Sequence, residues 1–503
     1  MNDKDAAGIV QEIDATHNAA EQGQVATDKY GHSLVQINPR VERKLRTKID
    51  LYIVPTVALL YLFCFIDRAN IGNARLAGFE KDLNLVGNDY NMVLSIFYIS
   101  YTIFEIPATI TCKWMGPGWF LPLTTLFFGI TSVGTGFVQT RGQACALRFL
   151  LGIFEAGMMP GIAYYLSRWY CRAELAFRLG LYMVMAPLAG AFGGLLASGI
   201  LKLGHFGTLH TWRMIFGIEG IITIGLATLA FFTLTDRPAT ARWLTEEEKD
   251  FAIARVKSER LAATVVLDQI DKQKLLRGVL NPITLSTAFI FLLNNITVLG
   301  ISFFLPTIVK TIYPNRTTIE QQLLTVPPYV VGAFFVVLVP TISWYLDRRQ
   351  IFLALSGPTV MAGYAMFLAS MNAHVRYGAI FLTASSAFTL GAMANAQVSA
   401  NVVSDTARSV AIGTNVMFGN IGGLIATWTF LPWDSPAYHI GNGLNLACST
   451  MLVIVAMAAL LWMKYDNKKR DSRSAEIQEE LAGLTQQQIQ DLDWKHPAFR
   501  WKL

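Results

Sequence analysis

Long apolar runs separated by short polar joints dominate the chain from about residue 49 onward. A helix that crosses a bilayer needs about 20 mostly apolar residues. Twelve runs meet that length, at 49–69, 90–113, 119–138, 143–168, 176–203, 212–235, 281–312, 322–346, 351–371, 375–400, 409–432 and 441–465. One joint, after the sixth run, is long and charged. The pattern predicts an all-α membrane protein with twelve transmembrane helices in two six-helix bundles. It divides the chain into a partly disordered N-terminal tail (1–46), a first bundle (47–235), a linker with short helices (236–280), a second bundle (281–465) and a C-terminal tail (466–503). No apolar run precedes residue 46, so no cleavable signal peptide is expected. Six spans, a linker and six more spans is the layout of a transporter that works by alternating access between two bundles.

Composition agrees. Hydrophobic residues make up 53% of the 503 positions and charged residues 15%, against about a quarter charged in a soluble domain. The mean hydropathy is +0.40. A disordered chain, a coiled coil and an ordinary soluble enzyme are excluded. The net charge of +6 comes from basic residues that flank the apolar runs. Arg40, Arg43, Lys44, Arg46 and Lys48 precede span one, and Lys113 follows span two. Arg168, Arg172 and Arg178 lie between spans four and five, Arg348 and Arg349 between eight and nine, and Arg408 between ten and eleven. These joints share one side. By the positive-inside rule both termini and the linker are expected in the cytoplasm, most simply of a plasma-membrane protein. The opposite joints are leaner, with Arg75, Lys81, Lys202, Lys310 and Arg316 as exceptions. No basic patch suits a nucleic acid. The cysteines (Cys64, Cys112, Cys145, Cys171 and Cys448) show no paired spacing, so neither a disulfide framework nor a metal site is expected. Asn315-Arg316-Thr317 is a glycosylation candidate on the outer face, whereas Asn295-Ile296-Thr297 lies inside span seven and should be silent.

Charge inside the apolar runs is costly, about 2.5–3.5 kcal/mol per residue on insertion scales, and usually functional. Asp67 and Arg68 close span one; position alone also fits a boundary pair that snorkels to water. Arg148 and Glu155 lie seven residues apart in span four, on one helix face about 10 Å apart. A structural salt bridge to another helix is the plainer alternative. Gly152 and Gly157 permit close helix approach there. Glu105 in span two is either a third titratable group or a partner for a backbone amide near Pro107. The second half carries amides instead: Asn294, Asn295, Asn395, Gln397, Asn401, Asn415 and Asn420. Amides bind polar ligand groups or join helices. Ionisable chemistry thus sits in the first half and neutral polar chemistry in the second.

Several stretches resemble one family. They are Phe65-Ile66-Asp67-Arg68-Ala69-Asn70-Ile71-Gly72-Asn73-Ala74, Tyr101-Thr102-Ile103-Phe104-Glu105-Ile106-Pro107, Arg148 through Gly157, Leu324-Thr325-Val326-Pro327-Pro328-Tyr329, and the tail from Asp491 to Trp501. Together they resemble the major facilitator superfamily, and within it the fungal allantoate permease-like branch of the anion:cation symporters. The resemblance implies proton-driven uptake of a small organic anion, vitamin-like or another carboxylate. Protons are the coupling ion and no other cofactor is implied. Asp67 and Glu155, with Glu105 as a further candidate, would take part in proton coupling. Arg68, Arg148 and Tyr101 would bind substrate, facing Gln397, Asn401 and Asn415 from the second bundle. The family's tryptophan near the end of span ten is replaced here by Gln397. The loop after span two, Gly116-Pro117-Gly118, lacks the superfamily's Asp-Arg pair, whereas Asp347, Arg348 and Arg349 after span eight keep it and should latch a gate near the start of span eleven. The expected cycle has protonation of Glu155 release Arg148 to the substrate carboxylate. The bilayer and the anion are the expected partners, with a monomer as the working unit. A drug/proton antiporter of the same fold and a nutrient receptor with little flux are the alternatives. No nucleophile–base set points to an enzyme.

Overall fold

The structure is a computed structural model describing residues 39–170, 172–261, 276, 278–346, 348–402, 405–472, 494, 496 and 499–502. The first 38 residues of the N-terminal tail, Asp347 and most of the C-terminal tail lie outside the described residues.

The described chain is almost wholly helical. Span one is Pro39–Leu76, span two Asp89–Met115, span three Pro117–Thr135 and span six Trp212–Thr233. Span four runs as Arg141–Glu155 and Met158–Ser167, and span five as Arg172–Met183 and Met185–Leu201. Span seven is Pro282–Ile312, span eight Val326–Tyr345 after a short Thr318–Leu323 helix, and span nine Arg349–Ala369. Span ten is Ala373–Ala387 with Thr389–Ala400, span eleven Asp405–Ala426 and span twelve His439–Ser472. Ten of these are long and apolar enough to cross a membrane, and Val410–Ala426 is a shorter apolar helix. Span three completes the twelve. The helices pack as two bundles: three on six and two on four in the first, seven on eleven and nine on twelve in the second.

Two breaks have a direct cause in the sequence. Proline has no N–H for the carbonyl four residues back, and its ring crowds that carbonyl. Pro160 therefore strands the carbonyl of Ala156, and the first segment of span four ends at Glu155. Pro187 does the same at Met183, where the first segment of span five ends. Both breaks border the space between the bundles. Spans two and four approach closely, because a Cβ at Gly152 would fall 2.5 Å from the Phe97 carbonyl oxygen.

The face that carries the ends of spans six and twelve, here the terminal face, is fastened within each bundle. Arg178 grips Asp50 at 2.6 and 3.0 Å, and Lys48 reaches Glu248 at 2.6 Å. Tyr52, Trp243 and Trp169 stack in sequence, tying the start of the linker to span one. The loop without the expected Asp-Arg pair is filled from elsewhere: a Cβ at Gly118 would lie 2.6 Å from the backbone nitrogen of Asp236, and Asp236 pairs with Arg168 at 3.0 Å.

The opposite face joins the two bundles. Asn91 donates to the Thr427 carbonyl at 2.6 Å, Ser95 and Thr427 hydroxyls meet at 2.7 Å, and Gln322 donates to the Asn73 carbonyl at 3.3 Å. A Cβ at Gly72 would sit 2.6 Å from the Phe303 carbonyl oxygen, and Gly190 lies against the Tyr329 ring. The inter-bundle hydrogen bonds whose two partners are both described lie at Glu105 or at the face opposite the termini.

Candidate functional site

Between the bundles, on the terminal side of those contacts, lies a cavity of about 140 Å³. The first bundle lines it with Tyr61, Phe65, Arg68, Tyr98 and Tyr101. The second lines it with Asn294, Asn295, Asn395 and Asn420 beside Phe291 and Phe388. One wall carries a cation framed by aromatic rings and the other carries amides.

Arg68 is the only charged side chain in that lining. Its Nε donates to Glu155 Oε2 at 2.5 Å. Its guanidinium carbon lies 4.7 Å from the Tyr101 ring centre, 4.9 Å from Phe65 and 5.3 Å from Phe97. A cation over a ring face gains about 0.5–2 kcal/mol, more as water is excluded. Glu155 is fully buried at the end of the broken segment of span four. Cys64 Sγ, one turn before Arg68, also contacts Glu155 Oε2 at 3.4 Å, and Glu155 Oε1 has no partner. Asp67 is buried beside them. It accepts from the Ser132 hydroxyl at 2.7 Å through Oδ1, and its Oδ2 has no partner.

The expected link between Arg148 and Glu155 is absent. The two share a helix face two turns apart, too far to touch, so Glu155 reaches across to span one instead. Arg148 is buried, faces Asp67 electrostatically and lies 5.6 Å from the Phe216 ring, and its Nη2 has no partner. The arginine paired with Glu155 in the structure is Arg68, not Arg148.

A further buried acid escaped the sequence reading. Glu219 in span six is 2% exposed and accepts from the Asn70 amide. The penalty on charge inside an apolar run applies to Phe216-Gly217-Ile218-Glu219-Gly220 as it does to span four, and that signal was available. Asp67, Glu155 and Glu219 are thus three buried carboxyls in the first bundle: Arg68 pairs with Glu155, Arg148 faces Asp67, and Glu219 is held by the Asn70 amide. Arg376 at the start of span ten is also buried and donates to the Pro436 carbonyl at 3.0 Å.

The remaining expected site residues divide. Tyr101 lines the cavity. Glu105 accepts from the side chain of Asn420 at 2.7 Å, not from a backbone amide near Pro107. Asn415 is buried and donates to Asn395, which lines the cavity. Gln397 and Asn401 lie apart from it. Their amides donate to the Lys502 carbonyl at 2.9 and 3.1 Å, and Asn401 Oδ1 accepts from the Lys502 N–H at 2.8 Å. These two residues seat the C-terminal segment and do not line the cavity. Asp347 lies outside the described residues; Arg348 is exposed and Arg349 half-buried. Asn315 is exposed in the loop between spans seven and eight, whereas Asn295 lines the cavity.

A twelve-helix bundle pair around a cavity lined by one cation, aromatic rings and amides is the architecture of a multi-pass membrane transporter, not of an enzyme. The chain belongs to the Major Facilitator Superfamily, whose family model matches residues 57–427. It is 30% identical over 470 residues to an uncharacterized transporter of Schizosaccharomyces pombe, covering 93% of this chain and 91% of that protein. It is 29% identical over 455 residues to the high-affinity nicotinic acid transporter of Saccharomyces cerevisiae, covering 90% of this chain and 84% of the relative. Among solved structures, it shares its fold with a bacterial homolog of the human lysosomal transporter Spinster, at a TM-score of 0.61 and 16% identity over 81% of this chain and 95% of that one. The xylose transporter of E. coli matches at 0.60 and 14%, over 80% and 98%.

Proposed function

We propose that the protein is a proton-coupled symporter that imports a small organic anion by alternating access. The observation that carries this reading is the Arg68–Glu155 pair at the cavity wall, with one Glu155 oxygen free. An anion entering the cavity meets one charged group, and that group is already neutralised by an acid able to take a proton. Protonation of Glu155 removes the counter-charge of Arg68 and leaves its planar fork for a carboxylate, which it can grip through two parallel hydrogen bonds. Proton and anion then enter together because each alone leaves an unpaired charge in a site where that is costly. On the opposite side the proton leaves, Glu155 takes Arg68 back and the anion is expelled.

The buried Glu219 supports the proton side of this reading, since its carboxyl is held by the Asn70 amide and by neither Arg68 nor Arg148. A carboxyl without a counter-charge in a low-dielectric site favours its neutral form. Asp67, facing Arg148, is a second proton carrier in this scheme. One proton per monoanion is electroneutral; two would let the membrane potential add about 2.3 kcal/mol per 100 mV. The aromatic frame of Arg68 and the amides opposite it suit a flat, polar-ringed carboxylate, in keeping with the nicotinic acid transporter among the relatives. A cationic drug would meet Arg68 and a net repulsion once Glu155 is neutral, so the exporter alternative has less support. We read the terminal face as cytoplasmic and the plasma membrane as the location, on the charge pattern of the joints. The structure then represents an inward-open state with its outer side closed. The test is uptake into proteoliposomes. Glu155→Gln should abolish uphill, proton-driven accumulation of nicotinate while preserving counterflow exchange; full accumulation by this variant would reject the mechanism.

A further inference from the structure

Among the described residues, four hydrogen bonds join the bundles. Three use neutral hydroxyls and amides at the face opposite the termini, two of them ending on backbone carbonyls. The fourth differs in place and chemistry. Asn420 Nδ2 of span eleven donates to Glu105 Oε2 of span two at 2.7 Å. It crosses between the bundles beside the cavity, and of these four bonds it alone has an ionisable partner. Asn420 lines the cavity, and Glu105 lies one helical turn beyond Tyr101, which lines it too. Glu105 is half-buried, within electrostatic reach of Arg68.

We propose that Glu105 and Asn420 form a tie between the bundles that senses whether the site is loaded. The proposal rests on the symport reading for what loads the site, and on geometry alone for the tie. The two partners belong to the bodies that must rock against each other, so the bond cannot keep one length through the cycle. Its strength depends on charge, because an amide donates more strongly to a carboxylate than to a neutral acid. The groups facing Glu105 define what changes that charge. Arg68 from span one is the cation. Span eleven presents the neutral Asn420, its own helix presents Tyr101, and span four presents Phe149 against neighbouring Phe104. When a substrate anion takes Arg68, Glu105 loses the attraction of that cation and gains a repelling neighbour. The charged form becomes less favourable, the tie weakens, and the bundles are freed to rock. Glu105 and Asn420 are thus positioning residues that act through the bundle equilibrium.

The test exchanges donor and acceptor in the full-length protein. Asn420→Asp sets two carboxylates against each other. Glu105→Gln combined with Asn420→Asp restores an amide facing a carboxylate, with the roles reversed. Nicotinate counterflow in proteoliposomes and the distance between spin labels at Trp114→Cys and Tyr345→Cys, exposed near the terminal-face ends of spans two and eight, are measured for each. Asn420→Asp should free the unloaded bundles at neutral pH. Its substrate-free label distances should shift, with an about tenfold change in the ratio of the two arrangements, the scale of one charge-assisted hydrogen bond, and counterflow should change with them. Both should recover in acid, where one carboxyl again donates. The double variant should return both readouts toward wild type at neutral pH. A double variant no better than Asn420→Asp, or a change that is the same at acid and neutral pH, would overturn the tie. If the wild type moves no nicotinate, that choice of substrate fails, and the label distances decide the tie: a shift in Asn420→Asp reversed in the double variant upholds it, and unchanged distances overturn it.

Discussion

Glu155 has one oxygen on Arg68 and does not hold Arg148, the partner expected from the sequence. Replacing Arg68 with lysine keeps the charge and loses the planar fork and the ring contacts. We expect Arg68→Lys to raise the KM for nicotinate about tenfold or more with a smaller change in kcat, as read from initial uptake rates. Glu219 makes a different prediction. Glutamine there keeps an acceptor for the Asn70 amide, so Glu219→Gln should fold with a thermal midpoint close to wild type. Glu219→Leu should lower it, since the buried Asn70 amide loses its acceptor at about 1–3 kcal/mol. Buried charge was legible in the sequence because an acid or arginine within an apolar run is costly, and Asp67, Arg68, Arg148 and Glu155 all proved buried or nearly so. Their pairing was not legible. Helical spacing says which residues share a face, but the partner of Glu155 comes from a helix 87 positions earlier in the chain.

Two broken helices and one terminal segment shape the molecule at the next scale. Pro160 and Pro187 account for the breaks in spans four and five, which put Glu155 and Met183 beside the cavity. The sequence does not single them out, since Pro55, Pro107, Pro122, Pro306, Pro340 and Pro358 sit inside unbroken helices. The C-terminal segment was less legible. Trp501 is 2% exposed and packs against Ile283 and Met463. Its indole N–H donates to Asp466 at 2.7 Å, and Arg470 donates to the carbonyls of Trp494, His496 and Phe499. With Lys502 on Gln397 and Asn401, the segment fastens the terminal-face ends of spans seven, ten and twelve together. Gln397 and Asn401 look like site amides in the sequence because nothing in their own helix shows that the backbone of a segment 101 positions away will take up their side chains. Trp501→Ala should therefore destabilise the protein by about 3–5 kcal/mol, measured as a lowered thermal midpoint in detergent. Gly118→Val should do so as well, because its side chain would meet the Asp236 backbone, where nothing flexible can yield.

At the scale of the whole molecule, the apolar pattern fixed twelve spans and the charged linker marked the division between bundles. The relation between the bundles was not legible, since it depends on glycine contacts such as Gly72 on Phe303 and Gly190 on Tyr329, whose partners lie far along the chain. The proposed orientation makes a separate prediction. With the termini in the cytoplasm, Asn315 faces the lumen during synthesis, so a glycosidase-sensitive shift in mass should disappear in Asn315→Gln. The central claim is that a proton and an organic anion cross together. Its most direct test is proteoliposomes buffered near neutral inside and acid outside, followed at once for labelled nicotinate and for external pH. The account predicts uphill nicotinate accumulation with a matching rise in external pH, both abolished by a protonophore. Nicotinate entry that drives protons outward, or that ignores the gradient, would contradict it.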